Sequence, residues 1–289
     1  MGKRHDFKIY EELATKYLVE GLSLVELSKQ SGIDRRTLST NFKNMGIEIV
    51  NKQNLTKFDE HIFDEIDNEE KAYWLGFIFA DGYISSTSNN FELSLSIKDI
   101  NHLEKFSKFM KYTGQIKQDS YRCRFSLRNK HLWNILNNYG CTPRKSLTLK
   151  FPNRDIFKSK DLIKHFLRGY FDGDGCITYQ KDTYTVSAVC SVIGTPEFLS
   201  EFEQLLNFEK EITKCKDKRS INNTISLSFK RSESLVLMIY LYENSSIYLE
   251  RKFKLYSFFK NGCRSLEEFN ELLLTNIGES CDANPEIND

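Results

Sequence analysis

Two aspartates 93 positions apart, Asp81 and Asp174, sit in segments of similar pattern, YWLGFIFADGYI at 73–84 and FLRGYFDGDGCI at 166–177. In each segment a glycine follows the acid, Gly82 or Gly175, the residue expected in a left-handed turn that terminates a helix. Small residues recur one turn apart upstream, Gly76 with Ala80 and Gly169 with Gly173, so two such helices can pack at close backbone distance. Packing side by side through these four positions makes a two-fold interface, and both carboxylates emerge together. A carboxylate at a helix C-terminus faces the negative end of the dipole, and two held close repel, so the pair is poor as bare structure. Divalent cations resolve that repulsion: Mg²⁺ takes carboxylate, water and phosphate oxygens, and can activate water and stabilise the leaving oxygen in phosphodiester hydrolysis.

The elements that must position these acids repeat with them. After each segment come strand-like alternation, an apolar-periodic helix, further strands and a final helix: FELSLSIK, INHLEKFSKFMKY, YRCRFSLR and KHLWNILNNYG in the first copy, YTVSAVCSV, PEFLSEFEQLLN, TISLSFKR and SLVLMIYLYENS in the second. Two units of order αββαββα follow, an α+β fold divided at 71–155 and 156–262 and joined through TPRKSLTLKFPNRD. Alternation in YRCRFSLR puts Tyr121, Cys123, Phe125 and Leu127 on one face and Arg122, Arg124, Ser126 and Arg128 on the other. By the same rule FELSLSIK shows Lys98 and TISLSFKR shows Lys230 on polar faces. Such faces suit the major groove of DNA, where Arg and Lys read guanine edges.

Ahead of the repeats, residues 1–50 read as three short helices. Ser23 can cap the second, which ends at Gly32, and Asp34 caps the third, which stops at Gly46. The pattern resembles a helix-turn-helix of the resolvase or transposase type. That resemblance implies a DNA-binding domain with Arg35, Arg36, Thr37, Ser39, Thr40 and Lys43 on or near the groove-facing side of its recognition helix. Residues 51–70 read as an acidic linker with a short helix, and 263–289 as an acidic tail.

A net charge of +1 hides a lopsided layout. Residues 111–165 hold 13 Lys and Arg against three Asp and Glu, and 210–260 hold 11 against five, while 51–70 and 266–289 carry seven acids each. Basic excess in both repeats favours a nucleic-acid partner. The seven cysteines show no CxxC pair, which argues against a zinc module and fits small buried residues in a reducing compartment. Neither a membrane span nor a signal-type apolar stretch is visible, and a cytoplasmic protein is expected, with an organelle as a second possibility.

The repeated nonapeptide, WLGFIFADG at 74–82 and LRGYFDGDG at 167–175, resembles the signature of the LAGLIDADG homing endonucleases, over about residues 70–262. The resemblance implies tandem pseudo-two-fold repeats with saddle-shaped antiparallel sheets. It also implies hydrolysis of double-stranded DNA at a long, asymmetric site by a single chain acting as a monomer. It assigns catalysis and metal binding to Asp81 and Asp174, with Ala80 and Gly173 beside them in the metal site and Mg²⁺ or Mn²⁺ as the ion. Lys145 and Lys252, each in an Arg-Lys pair, match the family's basic residue that polarises the scissile phosphate or attacking water. The sixth motif position is Asp172 in the second copy but Phe79 in the first, a departure that touches only a supporting role.

Other classes fare less well. An intron maturase would use the same fold on intron RNA, and a non-cleaving regulator would keep the fold and lose the acids; intact Asp81 and Asp174 argue against the regulator and leave open a maturase that also cuts. DGDGCIT is no EF-hand loop, because Ile177 stands where the sharp-turn glycine belongs and Thr183 where the bidentate Glu belongs. An aspartic protease would place Asp-Thr-Gly or Asp-Ser-Gly in a strand turn, whereas here each acid follows an apolar helix.

Overall fold

The computed structural model describes residues 7–49, 56–206, 214–215, 224–262 and 264–272. The chain forms two compact units, residues 1–58 with 112–114, and 59–111 with 115–289. In the smaller unit three helices, α1 (Phe7–Leu18), α2 (Leu24–Ser31) and α3 (Arg35–Asn44), enclose a core of Tyr10, Leu13, Ala14, Leu27, Ile33, Leu38 and Phe42. Helix α2 opens with a capping box, Ser23 with Glu26, and closes at Gly32 in the left-handed region, φ 70°. Asp34 caps α3 by accepting from the Arg36 amide at 2.8 Å.

The larger unit contains both repeats. The first runs α4 (Glu69–Asp81), β1 (Gly82–Ile84), β2 (Asn90–Ser96), α5 (Ile100–Phe109), β3 (Lys117–Gln118), β4 (Arg122–Arg128) and α6 (Lys130–Asn138). The second runs α7 (Leu162–Asp174), β5 (Gly175–Lys181), β6 (Thr185–Gly194), α8 (Pro196–Leu205), β7 (Lys214–Cys215), β8 (Ile225–Lys230) and α9 (Ser232–Tyr242), followed by α10 (Glu250–Phe259). Both sheets are antiparallel and share one connectivity, β1-β2-β4-β3 and β5-β6-β8-β7. No helix among the described residues is long and apolar enough to cross a membrane.

Helices α4 and α7 pack along each other; α4 is apolar almost all round beyond its first turn, every residue from Ala72 to Ala80 being buried, whereas α7 carries Lys164, His165, Arg168 and Asp172 among its apolar residues. Their backbones touch. A Cβ built on Gly76 would fall inside the Phe166 carbonyl, and one built on Gly169 inside the Tyr73 carbonyl. These two contacts are equivalent under the 93-residue repeat, so glycine is required at both positions by the same close approach.

Several sequence expectations need correction. Gly82 and Gly175 have ordinary extended backbones, φ −70° and −90°, not left-handed ones. Glycine is needed there because a Cβ would crowd the Ile78 carbonyl in one case and the Phe171 carbonyl in the other, as the chain turns straight from helix into strand. Of the expected acidic linker, 51–55 lie outside the described residues. From Asp59 onward the segment is packed onto the repeats: Ile62, Phe63 and Ile66 are buried, and Ile66 bridges to Phe157. These apolar residues outweigh the local acidity, and no helix forms before α4 among the described residues of this segment. The expected tail begins folded, with β9 (Arg264–Ser265) on β6 and α11 (Leu266–Leu272) burying Phe269; residues 273–289 lie outside the described residues. Tyr121 precedes β4 and is exposed, and Lys98 sits in a single 3-10 turn after β2, so neither follows the alternation of its strand.

Candidate active site

The ends of α4 and α7 bring the two repeated acids together. Asp81 is the last residue of α4 and Asp174 the last of α7. A Cβ on Gly173 would touch the Ala80 methyl and lie 3.1 Å from Asp81 Oδ2, so Ala80, Asp81, Gly173 and Asp174 form one cluster. The equivalent positions 80 and 173 hold Ala and Gly, and there is room for one methyl between the helices, not two.

The electrostatics follow from this crowding. Asp81 reaches the surface, yet burial, and after it the charge of Asp174, push its carboxyl from 3.8 up to about 6. Asp174, half-buried, is also pushed up, chiefly by burial; beside it Tyr170 donates to the Ile193 carbonyl at 3.0 Å. Lys145, Lys252 and Arg251 oppose the shift at Asp81. A carboxylate that raises the proton affinity of its neighbour in this way is suited to sharing a divalent ion with it, because the cation cancels the repulsion that the proton would otherwise relieve.

Both predicted lysines reach the helix ends, in different states. Lys145, on a single 3-10 turn after Arg144 (φ 60°), donates Nζ to the Ala80 carbonyl and is half-buried. Lys252, from α10, is fully buried and donates to the Phe171 carbonyl at 2.6 Å, the Asp172 carbonyl at 2.8 Å and the Gly175 carbonyl. Burial brings its ammonium down to about 8. All its protons are committed to the C-terminal end of α7, so Lys252 offsets the negative helix end and positions Asp174.

Asp172 is remote from the solvent side of the acid cluster. It is buried, accepts from Tyr73 Oη at 2.7 Å, Tyr242 Oη at 2.6 Å and the Leu249 amide at 2.8 Å, and is pushed up chiefly by burial. Phe79, its counterpart, packs edge-on against Phe166. Sequence reading missed Arg168. This motif residue is fully buried, donates to Ile247 and Leu241 carbonyls, and pairs with Glu69 at 2.7 Å. A charged residue inside an apolar helical motif was the available signal.

The strands carry the expected polar faces unequally. Arg122, Arg124 and Arg128 are exposed on β4, and Lys117, opposite Arg124, joins that face; Arg124 also pairs with Glu92 at 3.1 Å. On the second sheet Lys230 is exposed beside half-buried Ser226 and Ser228. Much of the second basic block, Lys210, Lys216, Lys218 and Arg219, lies outside the described residues, while Arg251 pairs with Asp99 and Lys252 is buried. In the smaller unit Arg35, Arg36, Thr37, Thr40 and Lys43 are exposed along α3, and Ser39 is half-buried.

Residues 161–255 match the family model of the LAGLIDADG-like domain. Over 195 residues, 61% of its length, the chain is 28% identical to the replication factor C small subunit of Methanocaldococcus jannaschii, of which the match spans 10%. Over 144 residues, 48% of its length, it is 28% identical to the probable translation initiation factor IF-2 of the same organism, of which the match spans 12%. The chain thus spans about a tenth of the length of these curated relatives. The crystal structure of the LAGLIDADG homing endonuclease I-GzeII in complex with its DNA target is similar at a TM-score of 0.46 and 14% identity, covering 76% of this chain and 99% of that one.

Proposed function

We propose that this chain, whose second repeat matches the LAGLIDADG-like domain model, is a site-specific endonuclease that hydrolyses both strands of a DNA duplex at a long, asymmetric site. One observation carries the reading: Asp81 and Asp174 end two glycine-notched helices packed backbone to backbone, in a cluster where burial and mutual repulsion make bare carboxylates unfavourable. The residues fit Mg²⁺ or Mn²⁺, held by Asp81 and Asp174 with Ala80 and Gly173 alongside. Such an ion supplies activation of water and stabilisation of the leaving oxygen. Solved nucleases of this kind have been crystallised bound to DNA, among them I-GzeII.

The chain's own groups divide the remaining work. Lys145 and Lys252 offset the negative ends of α4 and α7, so the two acids stay ionised and aimed at one point. Arg122, Arg124, Arg128 and Lys117 offer phosphate and guanine contacts on one sheet, and Lys230 with Ser226 and Ser228 offers a different set on the other. Unequal faces suit an asymmetric target. The helices of residues 1–50, with Arg35, Arg36, Thr37, Ser39, Thr40 and Lys43, act as an additional DNA-binding domain. Both acids lie on one chain, so the active form is a monomer. The test is Asp174→Asn with Mg²⁺ and a duplex carrying the target: cleavage is abolished while specific binding remains, and equal cleavage by both proteins would refute the assignment.

A further inference from the structure

On the larger unit, away from the paired aspartates in sequence, three metal-binding side chains converge. We propose that His61, Asp64 and His131 form a binding site for a first-row divalent cation of borderline softness, Zn²⁺ being the ion that suits its donors. Among the described residues this is the only group of three such side chains whose ligand atoms all lie within 4.8 Å of one another. Asp64 stands at its centre, with Oδ2 2.8 Å from His61 Nδ1 and Oδ1 2.6 Å from His131 Nε2. The two imidazole rings lie 4.5 Å apart. Around tetrahedral Zn²⁺, donors at about 2.0–2.2 Å sit about 3.4 Å from each other; Asp64 holds both nitrogens closer than this and all three ligand atoms lie within 4.8 Å of one another, so shifts of roughly an ångström complete the site.

The surroundings hold the ligands in place. His131 is in the first turn of α6, whose cap, Asn129, accepts from the Leu132 amide at 2.8 Å and donates to Glu60 Oε2 at 2.5 Å. Glu60 Oε1 lies 3.7 Å from His61 Nε2, the ring nitrogen turned away from Asp64. At that distance Glu60 is a charge neighbour of His61 and not a hydrogen-bond partner; a closer approach by about half an ångström would give the carboxylate support usual on the far nitrogen of a ligand imidazole. Tyr139 fixes the turn by donating to the Phe63 carbonyl at 2.9 Å, with the Asp64 carbonyl at 3.2 Å. The ligands are open to solvent, so water can fill the remaining coordination positions. Two imidazoles and one carboxylate select Zn²⁺, Ni²⁺ or Co²⁺ over Mg²⁺, whereas the all-oxygen pair Asp81 and Asp174 does the reverse. The bound ion would clip the entry segment at 59–64 to α6.

Calorimetric titration of the full chain with Zn²⁺ in excess Mg²⁺ tests this. One Zn²⁺ per chain is expected, retained in Asp81→Asn/Asp174→Asn, lost in His61→Ala/His131→Ala, and weakened about tenfold in Glu60→Gln. Co²⁺ in place of Zn²⁺ should give visible ligand-field bands without thiolate charge transfer, which separates this site from the cysteines. Circular dichroism checks that each variant is folded. If wild type shows no binding step beyond that of the double histidine variant, or if the step disappears with the two aspartates and survives loss of the histidines, the site is refuted.

Discussion

Asp81→Asn should abolish cleavage and, without divalent cation, stabilise the fold. The carboxyl moves from 3.8 to about 6 because burial, and then the Asp174 charge, disfavour its ionised form. The folded chain therefore binds the Asp81 proton more tightly than the unfolded chain does. Stability falls as pH rises from about 4 to about 6, and the whole deficit is present above that window. A displacement of that size corresponds to about 3 kcal/mol at neutral pH. Asp81 reaches solvent, and screening there reduces the deficit to about 1 kcal/mol. Asn keeps the shape and removes the charge.

Urea denaturation at about pH 4 and about pH 7.5, in chelator and in Mg²⁺, reads the effect. In chelator the Asn variant should be more stable at the higher pH and indistinguishable from wild type at the lower. Mg²⁺ should raise the wild type selectively, because an ion that binds only the folded state stabilises it by mass action. A variant less stable than wild type at the higher pH would mean that Asp81 makes contacts the fold needs, and the argument from repulsion would be wrong.

Three further outcomes follow from the same packing. Gly76→Ala should cost about 3 kcal/mol, the upper end of overpacking, because the atom in its way is the Phe166 backbone and not a side chain that can move; the shift in urea midpoint measures it. Tyr73→Phe should cost about 1.5–3 kcal/mol, since it removes a hydrogen bond to the buried Asp172 carboxylate while Tyr242 and Leu249 keep theirs; the same midpoint shift reads it. Lys252, whose ammonium burial brings down to about 8, should lose its charge as pH rises through that value, so cleavage falls on the alkaline side. Stability in the same range should rise, because the cost of a buried ammonium is relieved; a flat rate across that range would show that the charge is not used.

What was legible in the sequence and what was not divide along a physical line. The motif helices, their order and the strand faces were readable, because glycine spacing, caps and alternation are local. Ser23, Asp34, and the buried row Cys123, Phe125 and Leu127 all stand where their types placed them. Features set by tertiary contact were not readable. The 59–68 segment looks like acidic linker, but Ile62, Phe63 and Ile66 find the body of the fold. Gly82 looks like a left-handed cap, yet its backbone is extended and the constraint is the Ile78 carbonyl. Arg168 looks like a surface charge until Glu69, 99 residues away, supplies its partner.

The two halves deliver their lysines by different means, and this explains the sixth motif position. In the second repeat Asp172 accepts from the Leu249 amide at the N-terminus of α10, where a carboxylate is favoured by the helix dipole. That bond anchors the helix which carries Lys252 back to the carbonyls of Phe171, Asp172 and Gly175. Asp172 thus supports the site indirectly, through helix, lysine and helix end, and not as a ligand. In the first repeat Lys145 arrives on a short 3-10 turn behind Arg144 in the left-handed region, with no helix N-terminus to anchor. A carboxylate at position 79 would lack the partners that Asp172 has, and Phe79 instead fills the space against Phe166. The pseudo-symmetry holds at Asp81 and Asp174 and breaks two residues earlier, at Phe79 and Asp172, where each half has its own support.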